Sequence, residues 1–257
     1  AFTHSWDKHK HVERINLDRL SEKESKKVVF NVTGHKRIPE DAIDYILKKT
    51  DGIPLFLEEL TGMMIEEEMF TEAGGRYELS QPINMLAVPN TLNDLLAARL
   101  DRMKEAKPVA QLASAIGREF SSSMLENIPG EHQINLQEKL QKLLDAGLLY
   151  EKKNSLEKEY VFKHALIQDS AYASLLRNSK RTYHNAIANS LIKHRPDIVE
   201  AKPELIANHF SKADDASTAM TFWQKAGQLA IQKSAMPEAI SHLTKAVEES
   251  SKMPQSP

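Results

Sequence analysis

Apolar residues recur three and four places apart through most of this 257-residue chain, so its pattern predicts helices far more often than strands. Ser21-Glu22-Lys23-Glu24 reads as a capping box that opens a short helix through Val28, Val29 and Phe30. Pro39 enters the first turn of a helix with Ile43, Ile46 and Leu47 on one face. Asp51-Gly52 ends that helix, with glycine as the left-handed stop, and Pro54 opens the next, apolar at Leu55, Leu57, Leu60, Met63, Met64 and Met69. Residues 71 to 88 hold Gly74, Gly75 and Pro82, which predict a loop with a small hairpin through Tyr77-Glu78-Leu79.

Strand-like patterning is confined to two places. His11 to Leu17 is apolar at Val12, Ile15 and Leu17, a single strand that needs a sheet from elsewhere. Further on, Thr91 caps a helix carrying Leu92, Leu95, Leu96, Leu100 and Met103, and Pro108 starts a second helix that Gly117 stops. After a short helix at Ser121-Ser122-Ser123 comes a third, with Leu136, Leu140, Leu143 and Leu144, stopped by Gly147. Leu148-Leu149-Tyr150 and Tyr160-Val161-Phe162 then flank a polar turn at Asn154-Ser155. Three helices followed by a two-stranded ribbon is the winged-helix order.

From Ala165 onward the pattern is helical throughout, over 165–177, 180–194, 203–213, 216–233 and 236–250. Trp223, Gly227, Ala239, Leu243 and Ala246 have the small/large spacing of a tetratricopeptide helix pair, in which small residues let two helices approach closely. Ala230 stands where such a pair has tyrosine, and the trailing proline comes late, at Pro254. One such unit does not bury its own face, so further repeats are expected beyond Pro257.

Composition narrows the chemistry. No cysteine is present, which excludes disulfides, thiolate metal sites and a cysteine nucleophile, and fits a cytoplasmic location. No apolar run approaches the roughly 20 residues of a membrane-spanning helix, and no signal-peptide pattern opens the chain. Neither a membrane nor a metal is an expected partner; the spacing of His4, His9 and His11 matches no metal motif. A formal charge of −2 gives no nucleic-acid footprint. Lysines and arginines equal aspartates and glutamates across residues 86–165, so the winged helix is expected to pack on protein. A winged-helix DNA-binding transcription regulator is the alternative reading. Arg177, Lys180, Arg181, Lys193 and Arg195 form a basic run that reads as a solvated helix face. Glu159-Tyr160-Val161-Phe162-Lys163-His164-Ala165 passes from strand to helix at His164, where an imidazole meets the free N–H groups of a helix start, a fit for an anion.

Five stretches together carry a resemblance. They are Asp51-Gly52-Ile53-Pro54-Leu55-Phe56-Leu57-Glu58-Glu59-Leu60, Val88-Pro89-Asn90-Thr91-Leu92, Ala98-Arg99-Leu100-Asp101, Ile116-Gly117-Arg118-Glu119-Phe120 and Phe162-Lys163-His164-Ala165-Leu166-Ile167-Gln168-Asp169. In this order they resemble the STAND-class (AAA-related) signalling ATPases, especially the ATPase region attached to class III adenylate/guanylate cyclases. The likeness runs from about residue 11 to 250.

The resemblance implies a mainly α chain. It implies a terminal strand of a nucleotide-binding domain over 1–20, a helical lid over 21–88 and a winged-helix domain with a small β wing over 89–164. A helical linker bundle over 165–215 and the start of a tetratricopeptide-like α-solenoid over 216–257 would follow. It also implies nucleotide-binding roles for Gly52 and Pro54, near the adenine, and for His164, reaching the β-phosphate of ADP. ATP or ADP is thus expected for the parent protein, and protein partners for the repeat surface. The chain has no G-x-x-x-x-G-K-[ST] loop, no strand ending in paired carboxylates and no cyclase domain. It is therefore expected to begin after the Walker boxes and to be no enzyme by itself, regulating a cyclase or similar effector instead.

Overall fold

The computed structural model describes residues 16–82, 88–153 and 157–253. Across them the chain is mainly α, with thirteen α-helices and two small antiparallel sheets. It divides between Leu95 and Leu96 into two compact units.

In the first unit Ser21 caps α1 (Glu22–Val32): its Oγ accepts the Glu24 N–H at 3.4 Å while Glu24 Oε2 accepts the Ser21 N–H at 2.8 Å. This is the reciprocal bonding that the capping box calls for. Pro39 sits one position before α2 (Glu40–Thr50) rather than inside its first turn, and Pro54 takes the first position of α3 (Pro54–Glu66). The stop after α2 differs from the expectation. Asp51 itself is the left-handed cap, with φ 50°, and Gly52 follows at φ 68°. A short aspartate side chain tolerates this region, so the glycine is released for a second left-handed residue. Strands β1 (Phe70–Ala73) and β2 (Arg76–Leu79) pair from Phe70↔Leu79 to Ala73↔Arg76. Gly74 and Gly75 both have positive φ, as a two-residue hairpin turn demands.

The core of this unit gathers Val29 from α1, Ala42 and Ile46 from α2, and Leu57, Leu60 and Met64 from α3. Thr91 caps α4 (Leu92–Arg102), accepting the Asp94 N–H at 3.1 Å, and Leu95 joins the same core. Of the strand expected over 11–17, residues 11–15 lie outside the described residues, as do His4 and His9. Asn16 and Leu17 are not in a strand, and Leu17 is exposed.

The second unit runs α5 (Lys107–Ile116), β3 (Glu119–Ser121), α6 (Ser122–Glu126), α7 (Leu136–Asp145), β4 (Leu149–Glu151) and β5 (Glu159–Phe162). The two strands read from the pattern form, and a third, β3, joins them in the order β3-β5-β4, all antiparallel. Phe120 of β3 stacks on Tyr160 of β5 with ring centroids 5.8 Å apart. Leu112 of α5, Leu125 of α6, and Leu140 and Leu143 of α7 are all buried.

Six helices complete the unit: α8 (Ala165–Ala173), α9 (Arg177–His194), α10 (Pro196–Ala201), α11 (Pro203–Lys212), α12 (Ala216–Gln232) and α13 (Met236–Ser250). Helix α8 stops at Ala173, short of the expected 177, because Leu176 is extended and starts α9. The short α10 has no signature in the pattern, since it buries none of its residues.

Helices α12 and α13 pack through small residues, with Ala226, Ala230, Ala239 and Ala246 buried. A Cβ on Gly227 would stand 2.6 Å from Cγ and Cδ2 of Leu243, so glycine here is what lets the two helices meet. Gly227→Leu is expected to destabilise the chain by about 1–3 kcal/mol through overpacking. Adding Leu243→Ala should recover part of that loss in thermal unfolding. A double variant no better than the single one would show that the two side chains do not face each other.

Candidate functional site

The α2–α3 corner is built from the backbone upward. Thr50 Oγ1 donates to Ile46 O at 2.8 Å and closes the end of α2, and the Ile53 N–H donates to Thr50 O at 3.0 Å. Gly52 is buried, and its carbonyl accepts the Leu20 N–H at 2.9 Å. A Cβ at Gly52 would lie 2.5 Å from the Leu20 carbonyl oxygen, so the glycine is already enclosed by residues 19–20 of its own unit. Arg19 and Asp51 form an ion pair across the same corner. Pro54, by contrast, is exposed beside the exposed side chain of Ile53. Gly52 and Pro54 thus have different situations: one is packed beneath the chain, the other offers a free apolar face.

His164 belongs to the second unit. It is the N-cap of α8, with φ −133° and ψ 145°, directly after β5 and Lys163. Its side chain makes no capping bond, although its carbonyl accepts the Ile167 N–H at 3.1 Å. The residue is half-buried, yet Nε2 is fully buried and has no hydrogen-bond partner among the described residues. An unpaired buried polar nitrogen costs about 1–3 kcal/mol, so such atoms call for an explanation. Thr61, Ser190 and His242 also hold an unpaired buried atom. His164 differs in standing at a helix start, where first-turn N–H groups without intrahelical partners lie beside the imidazole. A nitrogen donor together with backbone N–H groups is a combination that can meet an anionic oxygen.

The basic run of α9 is largely engaged internally. Asp214 sits 3.1 Å from Arg181 and 3.7 Å from Arg177, and Arg195 pairs with Asp197 at 3.1 Å. Lys180 lies over the Tyr172 ring. On the α12–α13 pair, Trp223 donates to Ser211 Oγ at 3.0 Å and stacks on His242 at 5.4 Å. The outer face of α13 leaves Ile240 and Val247 about two-thirds exposed.

One cluster had no signature in the sequence. Half-buried Tyr172 of α8 and buried His184 of α9 and His209 of α11 form a hydrogen-bonded chain, Tyr172 Oη to His184 Nε2 at 2.8 Å and His184 Nδ1 to His209 Nδ1 at 2.8 Å. Burial, with Lys212 and Lys180 adding to it, lowers the His184 pKa to about 4. Burial first, then His184 and Lys212, lowers that of His209 to about 3. Both rings are neutral at physiological pH. Among the described residues no group of three or more His, Cys, Asp or Glu side chains is placed to hold a metal ion. Among the same residues no helix is long and apolar enough to cross a membrane.

No protein-family model matches the chain. It is similar to the uncharacterized protein R02095 of Rhizobium meliloti (strain 1021), with 24% identity over 217 residues. That match covers 84% of this chain and 21% of the relative, so the chain spans about a fifth of the length of the curated protein it matches.

Proposed function

We propose that this chain is a non-catalytic regulatory region of a STAND-type signalling ATPase of the cytoplasm, coupling nucleotide state to a cyclase or similar effector. The observation that carries the reading is the buried, unpartnered Nε2 of His164 at the start of α8. Nε2 is covered in this conformation, so in this proposal the ring or the groups over it move aside before an N–H at that atom donates to a phosphate oxygen of ADP or ATP. A bond to a charged acceptor is stronger than one between neutral groups. Pro54 supports the same reading with a flat, exposed apolar face suited to an adenine ring. Gly52 contributes by shaping the corner that presents Pro54. In this proposal nucleotide exchange shifts the population towards a state in which the repeat surface of α12 and α13 binds a protein partner.

The test is titration of ADP-Mg into the full-length protein. His164→Ala should weaken binding about tenfold to a hundredfold, the range expected for one hydrogen bond to a charged group. Unchanged affinity would end the proposal. The DNA-binding alternative draws less support, because Lys142 of α7 is held by Glu138 at 3.4 Å and Glu105 at 3.9 Å.

A further inference from the structure

A groove of about 420 Å³ lies in the first unit between the second half of α1, the α1–α2 connection and the first turn of α2. Its floor is apolar, made by Val29, Phe30, Ile38 and Ile43. Phe30 is 42% exposed, unusual for a phenylalanine that has a core beside it. The rim is basic. Lys26 and Lys36 already have carboxylate partners, Glu22 at 3.0 Å and Glu72 at 2.5 Å. Lys27 and Arg37 are at the surface and make no ion pair among the described residues. The segment carrying Arg37 is fixed, because its carbonyl accepts the Tyr77 N–H at 2.8 Å from the hairpin.

The chemistry of the floor narrows the occupant. Its one hydroxyl, Thr33 Oγ1, is already engaged with the carbonyls of Phe30 at 3.0 Å and Lys36 at 2.7 Å. A small polar ligand would find no convergent donor there, which is what such ligands require. The groove is also open to solvent along one side, whereas small-molecule sites enclose most of their ligand. What matches is a row of apolar side chains flanked by carboxylates. We propose that this groove docks an acidic amphipathic helix of a partner protein, apolar residues on Phe30 and Ile43 and its acids against Lys27 and Arg37. This is the helix-in-groove mode with a charged rim that sets specificity. It is independent of the nucleotide reading, since none of these residues belongs to the α2–α3 corner or to α8.

Fluorescence anisotropy on the full chain tests it, with a labelled synthetic peptide of about 14 residues, roughly four turns, as probe. The peptide carries leucines on one face and glutamates on both flanks; a matched peptide carries lysines instead, and sodium dodecanoate serves as a small anionic amphiphile. The glutamate peptide should saturate, weaken as salt rises, and bind at least about tenfold more weakly to Lys27→Glu/Arg37→Glu. The same double variant should accept the lysine peptide, and Phe30→Ser should weaken both. All three positions lie at the surface, so the variants should keep the helical circular dichroism of the parent chain. Equal binding of the two peptides overturns the proposal, as does indifference to both sets of substitutions. Saturation by dodecanoate without binding of the glutamate peptide also overturns it and assigns the groove to a small amphiphile.

Discussion

Gly52→Ala should lower the stability of this chain by about 2–4 kcal/mol, read as a shift of the urea midpoint at unchanged slope. Two costs combine. At φ 68° any L side chain meets the left-handed penalty, about 1–2 kcal/mol. The added Cβ would also come within 2.5 Å of the Leu20 carbonyl oxygen, a backbone atom that cannot rotate away. Relief requires residues 19–20 to lift, which breaks the 2.9 Å bond from the Leu20 N–H to Gly52 O and removes Leu20 from its place against the core. Gly74→Ala is the internal control. That hairpin glycine has φ 58° but nothing within 4 Å of its Cβ direction, so only the conformational penalty applies. Equal losses for the two variants would mean that the segment before α1 is not seated on the corner. The result also bears on function: a glycine required by packing at this corner needs no ligand to account for it, and the nucleotide reading then rests on Pro54 and His164.

Where the sequence was readable, the determinants were local. The capping box at Ser21, the Gly74-Gly75 turn and the prolines before α2 and at the start of α3 each act within four residues. The Trp223/Gly227/Leu243 spacing was legible for a related reason, since two adjacent helices in a hairpin are packed by a fixed periodicity. Strand β3 was not legible. Three residues with only Phe120 buried present no alternation, and the strand exists because β5 offers an edge about forty residues away. Asp51 as the left-handed cap was missed for the opposite reason, because the glycine beside it is the stronger local signal.

The candidate sites divide in the same way. His164 could be placed at a strand-to-helix changeover from pattern alone, but that its Nε2 is sealed and unpaired depends on how the second unit packs. The basic groove of the first unit uses Lys27 and Phe30 from one helix with Arg37 and Ile43 from the connection and the next helix. In the sequence those cations look like any solvated face. Only the fold reveals that they surround an apolar floor.

The histidine chain supplies the second large effect, a loss of stability in mild acid. In the unfolded chain His184 and His209 titrate near 6.5; in the fold their pKa values fall to about 4 and about 3. Both depressions have the same sign, because the folded state holds the rings neutral away from water and near Lys180 and Lys212. The Nδ1···Nδ1 bond adds a geometric reason, since one of the two nitrogens must keep a lone pair to accept. The unfolded state therefore binds more protons between these limits, and stability rises with pH there. The contribution is present in full above about pH 6.5 and is lost as pH falls towards 4 and then 3. At about 1.4 kcal/mol per unit, the depression of His184 alone corresponds to a loss on the order of 3 kcal/mol. Urea midpoints measured from pH 7.5 down to pH 4.5, roughly the span over which only the unfolded chain protonates, should show this decline. The matched variant is Tyr172→Phe/His184→Leu/His209→Leu, which replaces every partner by an apolar group and strands none of them. Its stability at pH 7.5 should lie within about 1.5 kcal/mol of the parent chain, and its slope against pH should be markedly shallower. An equally steep slope in the triple variant would place the acid-sensitive groups elsewhere. A shallow slope in the parent chain would mean that α8, α9 and α11 open enough at mild acidity to hydrate the pair.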